Sequence, residues 1–158
     1  MSMELFKSLA DVDLQHIPYR GTAPAMTDVI SGQITAMFSN ALTAKPQIES
    51  GAIRALGVSG RKRSEALPDI PPIAEVGVPD YEATQWYGLV APAGTPPEIV
   101  SRLHAEAKQA LKTQEMKDKL AGDGAEPVGT TPAEFAAHIK AELAKWTSVA
   151  RAAKIEPQ

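Results

Sequence analysis

The sequence has 158 residues, of which 44% are hydrophobic and 22% charged, with a net charge of −3 and no cysteine. The length suits one ordinary domain or parts of two, and the lack of cysteine excludes disulfides, thiolate metal sites and a cysteine nucleophile. The small negative charge favours neither nucleic acid nor an anionic membrane, and no apolar run reaches the roughly 18 residues of a membrane-spanning helix.

The first third of the chain alternates predicted helices and strands. The hydrophobic periodicity predicts, in order, helix 3–10, strand 12–21, helix 22–33, strand 34–40, helical segment 41–51 and strand 53–60. Thr22 is the predicted N-cap of the second helix, Pro24 suits its first turn and Gly32 its end. This order of elements predicts a parallel sheet with right-handed crossovers.

A proline-rich connection separates these elements from the rest of the chain. Residues 61–85 contain four prolines and are predicted to run over the surface, with a short helix near residues 73–76. The pattern then predicts strand 86–94, helix 95–113, helix 114–124, strand 125–129 and helix 130–154. Thr95 is the predicted cap of its helix, with Glu98 at the capping-box position.

Two groups of polar residues follow predicted strands, at the edge where parallel sheets bind ligands. The first group is Tyr19, Arg20, Gly21, Thr22 and Ala23, and the second is Ser39 and Asn40. The free N–H groups and positive dipole end of a helix N-terminus suit a carboxylate or a phosphate. An ordinary turn explains the first group as well, and N-capping of the next helical segment explains the second. Arg20 suits either a fork-shaped pair with a carboxylate or a solvated surface position.

The sequence offers no constellation for catalysis. The three histidines, His16, His104 and His138, are not at metal-ligand spacing, and no nucleotide-binding, hydrolase or zinc-protease motif is present. No nucleophile can be paired with a base. We therefore expect neither an enzyme, nor a bound metal, nor a cofactor.

Three long stretches together carry a specific pattern. They are HIPYRGTAPAMTDVISGQITAMFSN from residue 16, IRALGVSGRKRSEALPDIPPIAEVGVPDYEATQWYGLVAPAGTPPEIVSRL from residue 53, and GAEPVGTTPAEFAAHIKAELAKWTSVARAAKI from residue 124. They resemble the tripartite tricarboxylate transporter receptors, the Bug family of solute-binding proteins. The resemblance implies an α/β, periplasmic-binding-protein-like (Venus flytrap) fold, with lobes of parallel or mixed sheet flanked by helices. It also implies that backbone amides, small hydroxyls and water hold a carboxylate, with the Tyr19–Ala23 turn in a second-lobe loop and Asn40 facing the cleft.

The resemblance covers only the C-terminal half of such receptors, which implies a truncated arrangement. Residues 1–60 then form part of the second lobe, 61–85 the connection, and 86–158 the C-terminal part of the first lobe. The implied function is an extracytoplasmic receptor for a small organic carboxylate. The alternative is an oligomeric remnant or interaction module that binds no ligand.

The expected partners follow from the same resemblance. They are a small organic carboxylate and the membrane subunits of the transporter, with no role for nucleic acid. Incomplete lobes expose sheet edges, so we also expect a homo-oligomer, with an element-swapped dimer as one form. The family implies the periplasm. The N-terminus lacks the basic start and apolar run of a signal peptide, so a natural start at Met1 predicts the cytoplasm instead.

Overall fold

The structure is a computed structural model in which residues 1–155 are described. Its regular elements are α1 (Ser2–Ala10), α2 (Thr22–Ile30), α3 (Ala41–Glu49), a 3₁₀ helix (Ile73–Glu75), α4 (Pro97–Ala110), α5 (Gln114–Gly122) and α6 (Pro132–Ala152). Each of these helices lies where the sequence predicts one. Apolar periodicity and the glycines and prolines that flank each segment were therefore sufficient to place them.

Two predicted helix caps are wrong. Gly21, rather than Thr22, is the N-cap of α2, and Thr22 is already the first helical residue. α4 begins after Pro96 rather than after Thr95, whose hydroxyl donates instead to the Pro92 carbonyl oxygen at 2.8 Å. The reason in the second case is that a residue preceding proline is forced into the extended region, so Pro96 itself takes the cap position before Pro97.

The five predicted strands do not form a hydrogen-bonded sheet with one another. Within residues 1–155 the sheet-type pairing is limited to two isolated bridges, Val58 with Pro72 and Ser64 with Leu67. Alternating and β-branched residues favour an extended backbone, but a ladder also needs a second strand about 4.8 Å away. The predicted parallel pairing of strands 12–21, 34–40 and 53–60 is therefore not observed.

The chain divides into two compact units. The first comprises Met1–Thr84 and the segment from Val149 onward, and the second comprises Gln85–Ser148. The buried hydrophobic residues of the described chain all belong to the first unit: Leu5, Ala25, Met26, Tyr81, Ala83 and Val149.

Tyr81 is the centre of the first unit, and its side chain has no exposed surface. Phe6 meets its ring edge-on at a centroid distance of 5.9 Å, and Phe38 stacks on it at 5.7 Å. The Tyr81 hydroxyl donates to the Ser2 carbonyl oxygen at 3.2 Å, and burial raises the pKa of this phenol well above its ordinary value. This aromatic cluster joins α1 to the segment that leads into α3.

An aromatic cluster also organises the second unit. Trp86 meets Phe135 edge-on at 5.5 Å and His138 at 5.2 Å, which attaches the extended segment after residue 85 to α6. A Cβ atom at Gly88 would lie within 2.9 Å of three carbons of the Phe135 ring, so this close approach requires glycine. The side chains of Tyr87 and Leu89, on either side of Gly88 in the sequence, are exposed to solvent.

Glu142 interacts with two other side chains of α6. Its carboxylate accepts a hydrogen bond from Trp146 Nε1 at 2.8 Å and forms an ion pair with Lys145. Burial acts to raise the pKa of Glu142, but the hydrogen bonds from Lys145 and Trp146 outweigh it and hold the pKa below its usual value.

Candidate functional site

The N-terminus of α2 presents free backbone donors. Gly21 has φ 111° and ψ 175°, a conformation that side chains rarely adopt. No side chain caps α2, and its first turn holds no acid. Within residues 1–155, the N–H groups of Thr22 and Ala23 have no acceptor, and the next residue, Pro24, has no N–H to satisfy. Such an end combines free donors with the positive end of the helix dipole.

This helix start differs from the other α-helix starts that the structure describes. The first turns of four helices contain an acidic residue, and α3 has a side-chain cap. An acid in the first turn already offsets the positive dipole end, and a cap satisfies a donor. Among the helices of residues 1–155, α2 therefore offers the most receptive backbone for an external anion.

Tyr19 is attached to α2 by its side chain. Its hydroxyl donates to Asp28 Oδ2 at 2.6 Å. This hydrogen bond to Asp28, reinforced by burial and by the negative charge of Asp28, raises the pKa of Tyr19. Arg20 is exposed and forms no ion pair within residues 1–155, in keeping with the solvated alternative.

The second candidate group lies at the start of α3. Asn40 is the N-cap, and its Oδ1 accepts from the Thr43 N–H at 2.9 Å. The Ser39 hydroxyl donates to the Asn40 carbonyl oxygen at 3.2 Å. The structure thus shows the capping role of Asn40. That role engages only the amide oxygen, and the Asn40 amide nitrogen has no acceptor in the part of the chain that the structure describes.

All seven candidate residues lie in the first unit. The structure links Tyr19 to α2 and Ser39 to Asn40, but within residues 1–155 no hydrogen bond joins the Tyr19–Ala23 turn to the Ser39–Asn40 pair. The described residues contain no group of three or more His, Cys, Asp or Glu that could hold a metal ion. The chemistry that this arrangement offers is anion binding by backbone N–H groups, a hydroxyl and an amide.

Two residues that support these loops were not predicted from the sequence. Asp28 accepts the hydrogen bond from the Tyr19 hydroxyl. The Tyr81 ring stacks against Phe38, the residue directly before Ser39. Asp28 could have been noticed as an acid inside a short helix with no cation at helical spacing. Tyr81 could have been noticed because only 5% of the chain is aromatic, which makes each aromatic ring a core candidate.

The family comparison matches almost the whole chain. The family model described as "Tripartite tricarboxylate transporter family receptor" matches residues 1–155. Among curated proteins, the chain is 34% identical to Protein BugT of Bordetella pertussis over 148 residues, which cover 94% of this chain and 45% of BugT.

Solved structures show the same fold. "R. palustris Rpa4515 with adipate" is 40% identical, with a TM-score of 0.79, and the match covers 99% of this chain and 52% of that one. "MatC (Rpa3494) from Rhodopseudomonas palustris with bound malate" is 30% identical, with a TM-score of 0.72 over 94% of this chain and 51% of that one. The α/β, periplasmic-binding-protein-like class predicted from the sequence is confirmed. The chain spans about half the length of these proteins and of most curated relatives that it matches.

No helix in residues 1–155 is both long enough and apolar enough to cross a membrane.

Proposed function

Because this chain belongs to the tripartite tricarboxylate transporter receptor family, we propose that it forms part of a solute receptor that binds a small organic carboxylate. The observation that carries the proposal is the N-terminus of α2, which has no side-chain cap, no acid in its first turn and unpaired N–H groups on Thr22 and Ala23. Such a terminus binds anions. The adipate and malate in the two similar structures supply the ligand class.

In this proposal the carboxylate approaches the Tyr19–Ala23 turn. Its oxygens accept hydrogen bonds from the Thr22 and Ala23 N–H groups, and the Thr22 hydroxyl is a further donor. Gly21 adds no side-chain bulk to the approach, and within residues 1–155 no heavy atom beyond Gly21 and its two chain neighbours lies within 4 Å of the position where its Cβ would be. The Ser39 and Asn40 side chains contribute the second contact region.

The proposal also covers the lobes, the compartment and the partners of the receptor. Residues 1–60 form part of one lobe, 61–85 the connection and 86–158 part of the other lobe. Relatives are named as periplasmic proteins, and we place the working receptor in that compartment, with the membrane subunits of its transporter as partners.

The test is a pair of substitutions at the first residue of α2. Thr22→Pro removes the N–H group and the hydroxyl, and proline is tolerated at the first position of a helix. Thr22→Val removes only the hydroxyl. Because hydrogen bonds to a charged ligand are worth about 1.5–3 kcal/mol, titration calorimetry with malate and adipate should show T22P weakening binding at least about tenfold. T22V should weaken it less.

Gln114→Pro is the matched control, since Gln114 is the first residue of α5, whose first turn contains Glu115. It should leave carboxylate affinity unchanged. A T22P variant that binds both diacids as tightly as the original chain would contradict the proposal, as would a folded chain that binds neither.

A second candidate function is self-association. The extended segment after residue 85 exposes Tyr87, Leu89 and Val90 by 83%, 74% and 78% of their surface. Within residues 1–155 its backbone has no neighbouring strand, which favours pairing with a second copy.

Light scattering tests this candidate. Leu89→Lys should reduce the molar mass of an oligomer formed through the segment, because the charge disfavours strand pairing. Leu143→Lys is the control, since Leu143 is 64% exposed on α6. A chain that is monomeric at all concentrations, or equal effects of the two substitutions, would contradict this candidate.

A further inference from the structure

Within residues 1–155, one hydrogen bond anchors the turn before α2. Among the donors of residues 13–21, the Tyr19 hydroxyl is the one that has an acceptor within residues 1–155, and that acceptor is Asp28 Oδ2 at 2.6 Å. The residues on either side of Tyr19, from Val12 to Arg20, are otherwise exposed. The position of the turn over the start of α2 therefore depends on this bond more than on packing.

Asp28 also holds the chain at the other end of α2. Its carbonyl oxygen accepts hydrogen bonds from the N–H groups of Gln33 at 2.8 Å and Ile34 at 3.2 Å, and from the Ser31 hydroxyl at 3.3 Å. The segment that begins at Ile34 leads to Ser39. One residue thus fixes the loop before α2 by its side chain and the loop after α2 by its backbone.

Asp28 makes no ion pair within residues 1–155, so charge neutralisation does not explain its presence in a short helix. Its side chain has the Tyr19 hydroxyl as its hydrogen-bond partner. A short hydroxyl–carboxylate bond is stronger and more directional than a bond between neutral groups. The carboxylate therefore acts as an acceptor with a fixed direction.

We propose that Tyr19 and Asp28 are positioning residues for carboxylate binding, because their hydrogen bond holds the Tyr19–Ala23 turn in the conformation that exposes the Thr22 and Ala23 N–H groups. This inference rests on the proposed function. Tyr19 contributes through its side chain to the shape of the turn rather than as a donor to the ligand, since its hydroxyl proton is already committed to Asp28.

Three substitutions separate this role from general stability. Tyr19→Phe removes the donor and keeps the ring, Asp28→Ala removes the acceptor, and Asp28→Asn removes the charge but keeps an oxygen that can accept. Tyr81→Phe is the matched control. It makes the same chemical change in the core of the same unit, where it removes the bond to the Ser2 carbonyl oxygen.

The first readout needs no ligand. In ¹⁵N relaxation measurements on the full chain, the heteronuclear NOE of the amides in residues 20–23 should fall in Y19F and D28A. It should stay unchanged at residues 33 and 34, because the Asp28 carbonyl remains. D28N should retain most of the original order, and Y81F all of it.

The second readout is affinity for malate and adipate, measured with thermal stability. Y19F and D28A should raise Kd about five- to tenfold, as the loss of preorganisation by one charge-assisted bond implies. D28N should raise Kd less than about twofold, because its amide oxygen still accepts the bond. Y81F should lower Tm without changing Kd, because it removes the bond to Ser2 but keeps the ring on which Phe38 stacks.

Unchanged NOE values in Y19F would overturn the inference. It would also be overturned if, across all four variants, the increase in Kd were proportional to the decrease in Tm. If the original chain binds neither diacid, the proposed function fails. The NOE values then still decide whether the Tyr19–Asp28 bond positions the turn.

Discussion

The contact between Gly88 and Phe135 gives the most sharply defined stability prediction. In Gly88→Ala, the new Cβ would lie within 2.9 Å of three ring carbons, whereas ordinary carbon contacts are about 3.5–4.0 Å. To restore ordinary contacts, the ring or the extended segment must then move by about 1.5 Å. Trp86 packs edge-on against the same ring, so the movement also disturbs an aromatic contact worth about 0.5–1.5 kcal/mol.

The expected cost can be bounded from these terms. Overpacking costs about 1–3 kcal/mol, and the disturbed aromatic contact adds to it. Replacing glycine by alanine returns about 0.4–1 kcal/mol by restricting the unfolded chain. We therefore expect G88A to destabilise the second unit by about 2 kcal/mol.

Urea unfolding followed by tryptophan fluorescence measures this cost. Both tryptophans, Trp86 and Trp146, belong to the second unit, so the signal reports on that unit. Gly122→Ala is the control, because within residues 1–155 no heavy atom outside its chain neighbours and the α5 backbone lies within 4 Å of its Cβ position. It should change stability by less than about 1 kcal/mol.

A double-mutant cycle tests the cause. In a Phe135→Leu background the ring is absent, so G88A should cost at least about 1 kcal/mol less than it does in the original chain. The reasoning is refuted if G88A is as stable as the original chain, or if it costs the same in both backgrounds.

Three further predictions concern caps and titration. Asn40→Ala removes the acceptor of an α3 donor and should lower the free energy of unfolding by about 1 kcal/mol, measured by urea unfolding followed by circular dichroism; an unchanged midpoint would show that the cap is not needed. Thr131 donates from its N–H and its hydroxyl to Glu134, both at 2.8 Å, and these bonds hold the pKa of Glu134 below its ordinary value. Thr131→Ala removes the hydroxyl and keeps the N–H group, so it should raise the pKa of Glu134 only part of the way to its ordinary value in a carboxyl NMR titration, and an unaltered pKa would refute the contribution of the hydroxyl. The pKa of Glu142 is lower in the folded chain than the ordinary 4.5, so its ionisation stabilises the fold above pH 4.5 and this contribution is lost as the pH falls through the folded pKa. Glu142→Gln should flatten the fall in stability below pH 4.5 in acid unfolding curves, and equal slopes in the two proteins would contradict the assignment.

The sequence predicts helices more reliably than their first residues. α6 follows from its apolar periodicity, and Thr131 and Glu134 form the capping box that this position suggests. The start of α4 could not be read in the same way, since Thr95 and Pro96 both look like initiating residues. Pro97 forces Pro96 into the extended region, and Pro96 is therefore the N-cap.

Strand pairing could not be predicted, because it depends on residues far away in the chain. The segment around Tyr87 and Leu89 has the composition of a buried strand, yet these side chains are exposed by 83% and 74%. The relatives of known structure are about twice as long as this chain. The local pattern sets the extended backbone, but it does not specify which other strand pairs with the segment.

The candidate site was predicted only in part. Thr22 and Ala23 were identified from the position of a turn between a predicted strand and a helix, which is a general property of α/β folds. The Tyr19–Asp28 bond was not predicted, because it depends on how the turn folds back along α2. The capping function of Asn40 was predicted as one of two alternatives and is the one that the structure shows.

Carboxylate binding at the start of α2 is the central claim, and an amide-resolved NMR titration tests it most directly. With malate or adipate added to the full chain, the N–H signals of Thr22 and Ala23 should move with a common saturation curve. The N–H signals of Gln114 and Glu115, at the capped and acidic start of α5, should remain in place and serve as the reference within the same spectrum. Shifts of equal size at both helix starts, or none at α2 in a folded sample, would contradict the claim.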